Sequence, residues 1–432
     1  MVQRDLYMKQ IIPLIDNELI KVITGIRRCG KSYMLGLIKE ELLKRGVKEH
    51  NIIIINFDSK KYKNIKNNNE LDKIVEKSIK NKKGKVYLFF DEIQNVKKWE
   101  RSIAGYKIDY DCDIYITGSN SNLLSGELAT HLTGRYFEIN MYPFSYREFL
   151  NFNQKSSSLE MFNEYLQYGG MPQTFMLDET QKIEYLDDLF NSIFYKDIVK
   201  RYQIRDIGIL ERLTTFIFDN IGNIFSASSI MEYYKEEMNI KISNKTISNY
   251  LKYLENACFI KKVKREDLEG KGILKFNEKY YVTDHGFCEA KAKGNIDNIR
   301  RVMENIVYFE FLRRGWKITI GKTKDYEVDF VCRKHKQTIY VQVSYLLESD
   351  ETIERELRPF SKIKDHYPRY IITMDQFDRS RDGVKHINLL DFLTDETDPI
   401  WKFFNKKCNR HILDIISLFK ILKLYKFINW YL

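Results

Sequence analysis

The stretch GIRRCGKSYML, residues 25–35, contains two glycines, a lysine and a serine in the spacing G-x-x-x-x-G-K-[ST]. An apolar, β-branched run, ELIKVIT, precedes it, and the segment SYMLGLIKEELLKRG follows with apolar residues at helical spacing. These flanks predict a strand, a glycine turn and a helix. In that context the glycines let backbone amides face a phosphate at the positive end of the helix. The alternative is a glycine turn beside a surface lysine. That alternative does not explain why a strand precedes the turn and a helix follows it.

The run KVYLFFDE, residues 85–92, has the pattern of a buried strand that ends in two carboxylates. In a phosphate-binding protein, Asp91 would hold a magnesium ion through water, and Glu92 would act as the general base for the attacking water. Lys31 would contact the outer phosphates and Ser32 would ligate the magnesium ion. A strand that ends in an acidic helix cap is the alternative. We predict Mg²⁺-dependent binding of ATP or GTP by a loop formed by Gly25, Ile26, Arg27, Arg28, Cys29, Gly30, Lys31, Ser32 and Tyr33.

Three further runs predict strands of the same sheet: NIIIINFD at 51–58, CDIYITGSN at 112–120 and RYFEIN at 135–140. The second of these runs ends in small polar residues. A polar side chain there would lie between the phosphate loop and the acidic pair and would sense the terminal phosphate. Ser119 or Asn120 could take this role, and we include Asn120 among the catalytic candidates.

Together these motifs resemble the AAA+ ATPases. More narrowly, the chain is similar to a prokaryotic AAA-family ATPase group in which a C-terminal domain of unknown function, with a restriction-endonuclease-like fold, follows the ATPase. The resemblance implies an α/β multidomain protein with a five-stranded parallel sheet in the order 5-1-4-3-2 and hydrolysis of ATP. The phrases that carry it are GIRRCGKS, LFFDEIQNVKKWE, ITGSNSNLLSGELATHLTGRYFEINMYPFSYREFL, YLQYGGMP and EVDF.

Three arginines near the predicted site have open roles. The resemblance implies that Arg135, just before the fifth strand, is an arginine finger that reaches the nucleotide of a neighbouring subunit in a homo-oligomer. An ordinary arginine at a strand edge, paired with a local carboxylate, is the alternative. Arg27 and Arg28 lie inside the loop, where they touch phosphate, are solvated or pair with nearby carboxylates.

Residues 151–205 read as helices, and the run YLQYGGMP marks a break between two of them. By the same resemblance these helices form a small lid over the nucleotide. A lid arginine that contacts the phosphates would be Arg201 or Arg205. Both arginines are equally compatible with a solvated surface, so the sequence does not choose between them.

Residues 206–290 have the pattern of a winged helix-turn-helix, with the runs CFIKKVKR and KFNEKYYVTD as the two strands of the wing. Lys245, Thr246, Asn249 and Lys252 would lie on the exposed side of the third helix, where they could approach DNA phosphates and bases in the major groove. The alternative is that this unit packs against its neighbours and contacts no DNA.

Residues 291–395 read as a further α/β unit that resembles the PD-(D/E)xK nucleases. That resemblance implies Glu304 on a helix and Asp329 on a strand as the first two metal-binding acids. The run EVDF alternates acidic and apolar residues, so Glu327 and Asp329 point to the same side of their strand. This arrangement leaves weak metal binding open.

The third nuclease motif departs from the family pattern. It reads Gln342, Val343, Ser344, where a nuclease needs a carboxylate and a lysine. Glutamine is a weaker magnesium ligand than a carboxylate, and serine supplies no cation. We therefore expect an inactive nuclease-like scaffold and no nuclease activity.

Composition and charge limit the partners and the cellular compartment that the sequence allows. The chain has 432 residues, a formal net charge of +11 and six scattered cysteines without metal-ligand spacing. The charge permits contact with DNA without requiring it, and scattered cysteines are typical of reduced thiols in a cytoplasmic protein. No transmembrane segment is predicted, because charged residues interrupt the longest apolar stretch, the C-terminal run, which reads as an amphipathic helical tail.

The sequence therefore predicts a Mg²⁺-dependent AAA+ ATPase whose hydrolysis of ATP moves the lid and the winged-helix unit. The alternative function is an ATP-switched DNA-binding regulator, in which the bound state rather than turnover changes the DNA contacts. The predicted domains are the ATPase core at 1–150, the lid at 151–205, the winged helix-turn-helix at 206–290, the nuclease-like domain at 291–395 and the amphipathic tail at 396–432.

Overall fold

The first unit of the computed structural model is a five-stranded parallel sheet with helices on both faces. The sheet order is β2-β3-β4-β1-β5, which is the predicted order 5-1-4-3-2 read from the other edge. The strands are β1 (Ile20–Thr24), β2 (Ile52–Asn56), β3 (Val86–Asp91), β4 (Cys112–Gly118) and β5 (Tyr136–Asn140), and the helices are α1 (Asp5–Ile11), α2 (Lys31–Lys44), α3 (Asn68–Ile79) and α4 (Trp99–Asp109). The structure describes residues 2–121, 132, 134–270, 272–273, 278–292 and 298–395.

Alternate residues of the central strands bury in two separate cores. Val22 and Phe90 belong to the apolar cluster on one face of the sheet, whereas Ile23 and Phe89 belong to the cluster on the other face. Strands covered on both faces read as continuous apolar runs, which is why these segments were recognisable in the sequence. Because all five strands are parallel, the loops that follow β1, β3 and β4 meet at one edge of the sheet.

A set of helices follows the sheet in the range 146–202. The break at the GGMP run is set by two glycines that contact Asp284. Gly169 has φ of 75°, and a Cβ there would lie 2.0 Å from Asp284 Oδ1, while the Gly170 N–H donates to Asp284 Oδ2 at 2.8 Å. The helices are α5 (Tyr146–Asn153), α6 (Leu159–Tyr168) and α7 (Glu179–Ile193), and α7 continues through a π-helical segment, Phe194–Val199, into a last turn, Lys200–Tyr202.

The third unit contains three helices and a small antiparallel sheet of order β6-β9-β7. The two strands predicted for the wing pair with each other, with Ile260 opposite Val282. The Ser243 side chain caps the third helix by accepting the Thr246 N–H. The elements are α8 (Ile207–Asp219), β6 (Ile224–Phe225), α9 (Ala227–Glu237), α10 (Asn244–Asn256), β7 (Ile260–Val263) and β9 (Glu278–Val282).

The last unit is a six-stranded mixed sheet of order β14-β13-β12-β11-β10-β8. Its edge strand β8 (Arg265–Asp267) comes from the middle of the preceding unit and runs parallel to β10, with Arg265 opposite Ile320. The sheet therefore crosses the domain border predicted at residue 290. The remaining elements are α11 (Gly286–Lys291), α12 (Ile299–Arg313), β10 (Lys317–Lys322), β11 (Glu327–Lys334), β12 (Gln337–Val343), α13 (Asp350–Ser361), β13 (Arg369–Thr373), β14 (Val384–Asn388) and α14 (Leu389–Thr394).

Two sequence predictions concern the surroundings of the fold. The predicted amphipathic tail at 396–432 lies outside the described residues. Within the ranges that the structure describes, no helix combines the length and apolar character needed to cross a membrane. The cysteines at 29, 112, 258, 288 and 332 are all buried free thiols.

Candidate functional site

The loop between β1 and α2 has a backbone that requires its two glycines. Gly25 has φ of 155°, and a Cβ at this position would lie 2.1 Å from the carbonyl oxygen of Met141. Gly30, immediately before the first residue of α2, has φ of 103°, in the left-handed region that glycine adopts without steric cost. The loop therefore turns tightly against the end of β5 and directs the helix N-terminus toward the strand edge.

Lys31, the first residue of α2, lies at the centre of this edge. Its Nζ donates to the carbonyl oxygens of Gly25 and Ile26 at 3.0 and 3.1 Å and lies 3.6 Å from Glu92 Oε1. Burial by itself would lower the pKa of Lys31, but neighbouring groups, Glu92 among them, raise it above its ordinary value. The ammonium group therefore stays charged beside the acidic pair.

Asp91, at the end of β3, is held by three side chains. The Thr117 hydroxyl donates to Oδ1 at 2.5 Å and the Asn56 amide donates to Oδ2 at 2.7 Å. The Ser32 side chain also hydrogen-bonds to the carboxylate, although burial raises the pKa of Asp91 overall. The structure thus brings together Ser32 and Asp91, the two residues that the sequence predicted as magnesium ligands.

Glu92 has an unusual backbone conformation, with φ of 58° and ψ of 47°. A non-glycine residue in this left-handed region is strained, and such strain is concentrated at functional sites. Its backbone N–H donates to Thr117 Oγ1 at 3.0 Å, and its Oε2 accepts from Ser119 at 3.1 Å and from Gln94. Burial alone would raise the pKa of Glu92, but Lys31 and these hydrogen bonds lower it, so the side chain is a carboxylate.

These residues border a cleft of about 710 Å³. Its lining includes Ser32, Asp91 and Glu92 and four cationic side chains, those of Arg4, Arg27, Arg28 and Lys31. Cations suit phosphates, and hydroxyl and carboxylate oxygens are the ligands that Mg²⁺ prefers. The apolar part of the lining, which suits a nucleobase, is formed by Met141, Phe144, Phe152, Pro172 and Met176. The side chains present therefore fit a magnesium nucleotide.

Arg27 is paired rather than free. Its Nε and Nη2 donate to the two carboxylate oxygens of Asp197 at 2.9 and 3.1 Å, and its Nη1 lies 3.9 Å from Asp58. The hydrogen bonds to Asp197 raise the pKa of Arg27. Of the alternatives for Arg27, the structure therefore shows the carboxylate pair, and the carboxylate comes from the π-helical segment after α7.

The other candidate residues lie at different distances from the cleft. Tyr33 lines it and is 39% exposed, whereas Ile26 and Cys29 are buried behind the loop. Asn120 is buried at the end of β4, but the side chain that contacts Glu92 is that of its neighbour, Ser119. Arg135 is exposed at the start of β5, outside the cleft lining. The lid arginines Arg201 and Arg205 are also absent from that lining.

Four polar residues at this edge were missed by the sequence interpretation: Asn56, Thr117, Gln94 and Asp197. The first two end or nearly end parallel strands, so the rule that carboxyl ends meet at one edge would have found them. Gln94 follows the acidic pair by two positions. Asp197 carried no local signal, because it lies 170 positions from its partner in the loop.

A second cluster of charges lies between the third unit and the six-stranded sheet. Lys279 Nζ, on β9, lies 3.0 Å from Glu304 Oε1, 2.8 Å from Glu327 Oε1 and 4.0 Å from Asp329 Oδ1. The Tyr281 hydroxyl donates to Glu304 Oε1 at 2.6 Å. We call Lys279, Glu304, Glu327 and Asp329 the Lys279 cluster, and Lys31, Asp91 and Glu92 the P-loop centre.

The Lys279 cluster changes the interpretation of the predicted nuclease motif. Ser344 supplies no cation to this motif, but Lys279 brings one from outside the predicted domain. Gln342 Oε1 accepts the Asp329 N–H at 3.2 Å, and burial, reinforced by Glu304, raises the pKa of Asp329 to about 8. Glu327 and Asp329 do share one side of their strand, as expected, because both face Lys279.

Comparisons of the sequence with known proteins show which family the chain belongs to. A family model of the AAA domain matches residues 17–150. A Haemophilus influenzae protein, described as uncharacterized, is 37% identical over 398 residues, which cover 91% of this chain and 98% of that protein. The chain belongs to the same family as that protein. This AAA-domain family also includes an uncharacterized protein of Methanocaldococcus jannaschii, 36% identical over 387 residues, 84% of this chain and 82% of that protein.

The AAA domain match and the sheet order together confirm the prediction of a P-loop AAA+ fold of the nucleotide-binding class. A model of a domain of unknown function (DUF8612) matches residues 159–296. It therefore covers the predicted lid and winged helix-turn-helix and not the C-terminal domain, where the resemblance implied a domain of unknown function. The nuclease-like interpretation of 291–395 stays a prediction.

Two solved structures show distant similarity. The Aeropyrum pernix ORC1 protein in complex with DNA matches with 11% identity and a TM-score of 0.29, over 73% of this chain and 94% of that chain. Drosophila ORC bound to AT-rich DNA and Cdc6 matches with 10% identity and a TM-score of 0.23, over 67% and 91%. Similarities this distant carry no argument about what this chain binds.

Proposed function

We propose that this AAA-domain protein is a Mg²⁺-dependent ATPase whose hydrolysis of ATP moves the lid and the winged-helix unit. The observation that carries the proposal is the P-loop centre: a charged lysine 3.6 Å from a strained glutamate, both lining a cleft of about 710 Å³. An ionised carboxylate held by Ser119 and Gln94 can accept a proton from water, which is the role of a general base.

Each residue around the cleft has a separate role in the proposed reaction. Lys31 and the loop amides bind and orient the phosphates, and their positive charge stabilises the negative charge that develops during phosphoryl transfer. Ser32 and Asp91 would hold Mg²⁺, which supplies further positive charge when bound. Glu92 positions and deprotonates the water. The polar tip of β4 would sense the terminal phosphate through Ser119 or Asn120.

Phosphate release from Mg-ATP tests the proposal with the full-length chain. Lys31→Ala should lose nucleotide binding and hydrolysis together. Glu92→Gln should retain ATP binding while hydrolysis falls about 100-fold or more, the size typical of a lost general base. Lys44→Ala removes an exposed lysine from the last turn of the same helix and serves as the matched control. Equal hydrolysis by wild type and Glu92→Gln would show that Glu92 is not the general base. Failure of the wild type to bind nucleotide would contradict the ATPase proposal.

Arg135 supports a homo-oligomeric enzyme as part of this proposal. The side chain is exposed and outside its own subunit's cleft, while the backbone before β5 is fixed by a hydrogen bond from Ile20 to the Arg135 carbonyl at 2.9 Å. An arginine finger requires an exposed side chain that can reach the nucleotide of another subunit.

Mixing variants tests this arrangement. Arg135→Ala and Lys31→Ala should each be nearly inactive alone. Mixed together they should regain activity, because some interfaces combine an intact loop with an intact arginine. Arg101→Ala, which removes an exposed arginine from α4, is the control. A mixture as inactive as its parts, together with a monomeric solution mass in ATP, would contradict the finger.

A second candidate function is ATP-switched binding of DNA, and two observations favour it. Lys245, Asn249 and Lys252 are exposed on α10. The C-terminal end of α10 contacts two separate segments, one that follows β4 and one that ends the helices after the sheet. Ser121, beyond β4, donates to the carbonyl of Asn256 at 3.3 Å, and Tyr202, at the end of the lid, stacks on Tyr253 at 3.8 Å between ring centroids. A change at the cleft would therefore reach the exposed lysines through α10.

DNA binding is tested by fluorescence anisotropy with a labelled duplex at several salt concentrations, with and without ATP. Lys245→Glu/Lys252→Glu should weaken binding and reduce its salt dependence. Lys73→Glu/Lys77→Glu makes the same charge change on two exposed lysines of α3 and should have a smaller effect. Equal weakening by the two pairs would show non-specific attraction, and affinity independent of ATP would contradict a switch.

A further inference from the structure

We propose that Asp197 is a positioning residue that holds Arg27 in place for the terminal phosphates of the nucleotide. The inference rests on the proposed ATPase function and adds a residue from the lid to it. No motif in the sequence assigns a role to Asp197, which lies in the π-helical segment after α7.

The geometry of the pair leaves one side of the guanidinium group available. Nε and Nη2 make a two-pronged contact with Asp197 at 2.9 and 3.1 Å. Nη1 lies 3.9 Å from Asp58, beyond hydrogen-bond distance, and Arg27 lines the cleft. A bidentate contact fixes the plane of the guanidinium group as well as its distance. Asp197 therefore fixes which nitrogen of Arg27 can meet a ligand in the cleft.

Arg27 occupies the phosphate side of that cleft. It stands between Gly25 and Gly30 in the loop itself, two positions from the turn glycine. Its charge also helps to lower the pKa of Glu92, the proposed base, so the two side chains interact across the same space. A guanidinium group at this position adds a second cation to Lys31 where negative charge develops during phosphoryl transfer.

Two features of Asp197 are consistent with a functional role. The residue is 2% exposed, and a buried carboxylate is retained only where a partner compensates its desolvation. It also lies in a π-helical segment, a rare conformation that is concentrated at functional sites. Because the segment continues to Tyr202, which stacks on Tyr253 of α10, contact of Arg27 with a phosphate would affect the helices that follow Asp197.

The experiment compares steady-state ATP hydrolysis, ADP affinity and thermal midpoint in the full-length chain. Asp197→Asn should lower kcat about 10-fold, while ADP affinity stays within about twofold and the thermal midpoint changes little. Asp197→Glu, which keeps the charge, should recover part of the loss. Asp188→Asn, an exposed acid on α7, should behave as wild type.

A double-mutant cycle tests whether Asp197 acts through Arg27. If Asp197 acts through Arg27, Arg27→Ala/Asp197→Asn should be no slower than Arg27→Ala alone. Arg27→Lys keeps the charge but cannot make the bidentate contact, so it should reproduce the loss even if Asp197→Asn fails to fold. Full activity of Asp197→Asn or Arg27→Lys would overturn the inference. So would a kcat loss accompanied by equal loss of ADP affinity and stability.

Failure of the ATPase proposal would give a different result from failure of the role proposed for Asp197. Wild type and Lys31→Ala are assayed alongside. If wild type hydrolyses no more ATP than Lys31→Ala, the ATPase proposal fails and the role of Asp197 fails with it. If wild type is active, Lys31→Ala is inactive and Asp197→Asn equals wild type, only the role of Asp197 is wrong.

Discussion

The molecule contains two centres in which a buried lysine meets carboxylates, and they differ in what surrounds the lysine. In the P-loop centre, Lys31 donates to two backbone carbonyls, stands 3.6 Å from Glu92 and borders a cleft of about 710 Å³. In the Lys279 cluster, the ammonium group is within 3.0 Å of both Glu304 and Glu327. One lysine faces open space, and the other is enclosed by its partners.

The difference separates a centre suited to binding from one suited to stability. Charges that border a cleft can exchange their protein partners for a ligand's charges at modest cost. An ammonium group enclosed by carboxylates has already been desolvated and paired, so its removal leaves uncompensated buried charge. The presence of a lysine among acids therefore says little about function until the surrounding space is known.

The largest expected effect concerns stability. Lys279→Met should lower the free energy of unfolding by about 3–5 kcal/mol, because Glu304 and Glu327 would lose the cation that contacts them. Lys31→Met should cost only about 1 kcal/mol, the net value of an ordinary hydrogen bond, since water in the cleft can replace the lysine. Chemical denaturation of both variants measures the difference. Similar losses would erase the distinction between the two centres.

Ligand binding should show the reverse preference. ATP with Mg²⁺ at 100 times its dissociation constant should stabilise wild type by about 2.7 kcal/mol. Lys31→Ala should show almost no stabilisation, because it lacks the main phosphate contact. Mn²⁺ without nucleotide should not stabilise wild type, since Lys279 already compensates the acids of its cluster. Thermal unfolding with each addition measures both effects, and a clear Mn²⁺ shift that is lost in Asp329→Asn would place a metal in the cluster.

The P-loop centre was largely predictable because its parts are local. The loop is one contiguous motif, and the acidic pair ends a strand with a continuous apolar pattern. Parallel strands then bring Ser32 and Asp91 together by geometry alone, so the sequence predicted the neighbours without knowing any distance. The sheet order, in contrast, was predicted only through the AAA+ resemblance.

The Lys279 cluster was only partly predictable. The nuclease resemblance implied Glu304 and Asp329, and strand alternation placed Glu327 beside Asp329. Lys279 was not, because it arrives from a strand of another unit, and no local pattern reports which long-range element will cover an acidic surface. The same is true of β8 (Arg265–Asp267), which crosses a predicted border to extend the sheet. Pairings over long sequence separations depend on the packing of whole units.

A smaller loss of stability is expected when the Tyr281 hydroxyl, which donates to the Lys279 cluster, is removed. Tyr281→Phe removes the donor 2.6 Å from Glu304 Oε1 and should cost about 2 kcal/mol of stability, typical of a buried hydrogen bond to a charged group. Hydrolysis of ATP should be unchanged. Thr117→Val is the matched change in the P-loop centre, where the hydroxyl contacts Asp91, and it should reduce hydrolysis more than stability. Loss of hydrolysis in Tyr281→Phe would show that the two centres communicate.

The dependence of stability on pH should have opposite signs in the two centres. Burial raises the pKa of Asp329 to about 8 from an ordinary value of 3.8, so its contribution to stability is complete at low pH and is lost as pH rises through this range. Wild type should therefore lose stability relative to Asp329→Asn between about pH 4 and pH 8. The pKa of Glu92 is lowered from 4.5, so its contribution is present above that value and is lost as pH falls through the folded-state pKa. Wild type should therefore lose its advantage over Glu92→Gln in acid. Denaturation series at stepped pH measure both differences, and a common sign would mean that the protonation states assigned to one of the centres are wrong.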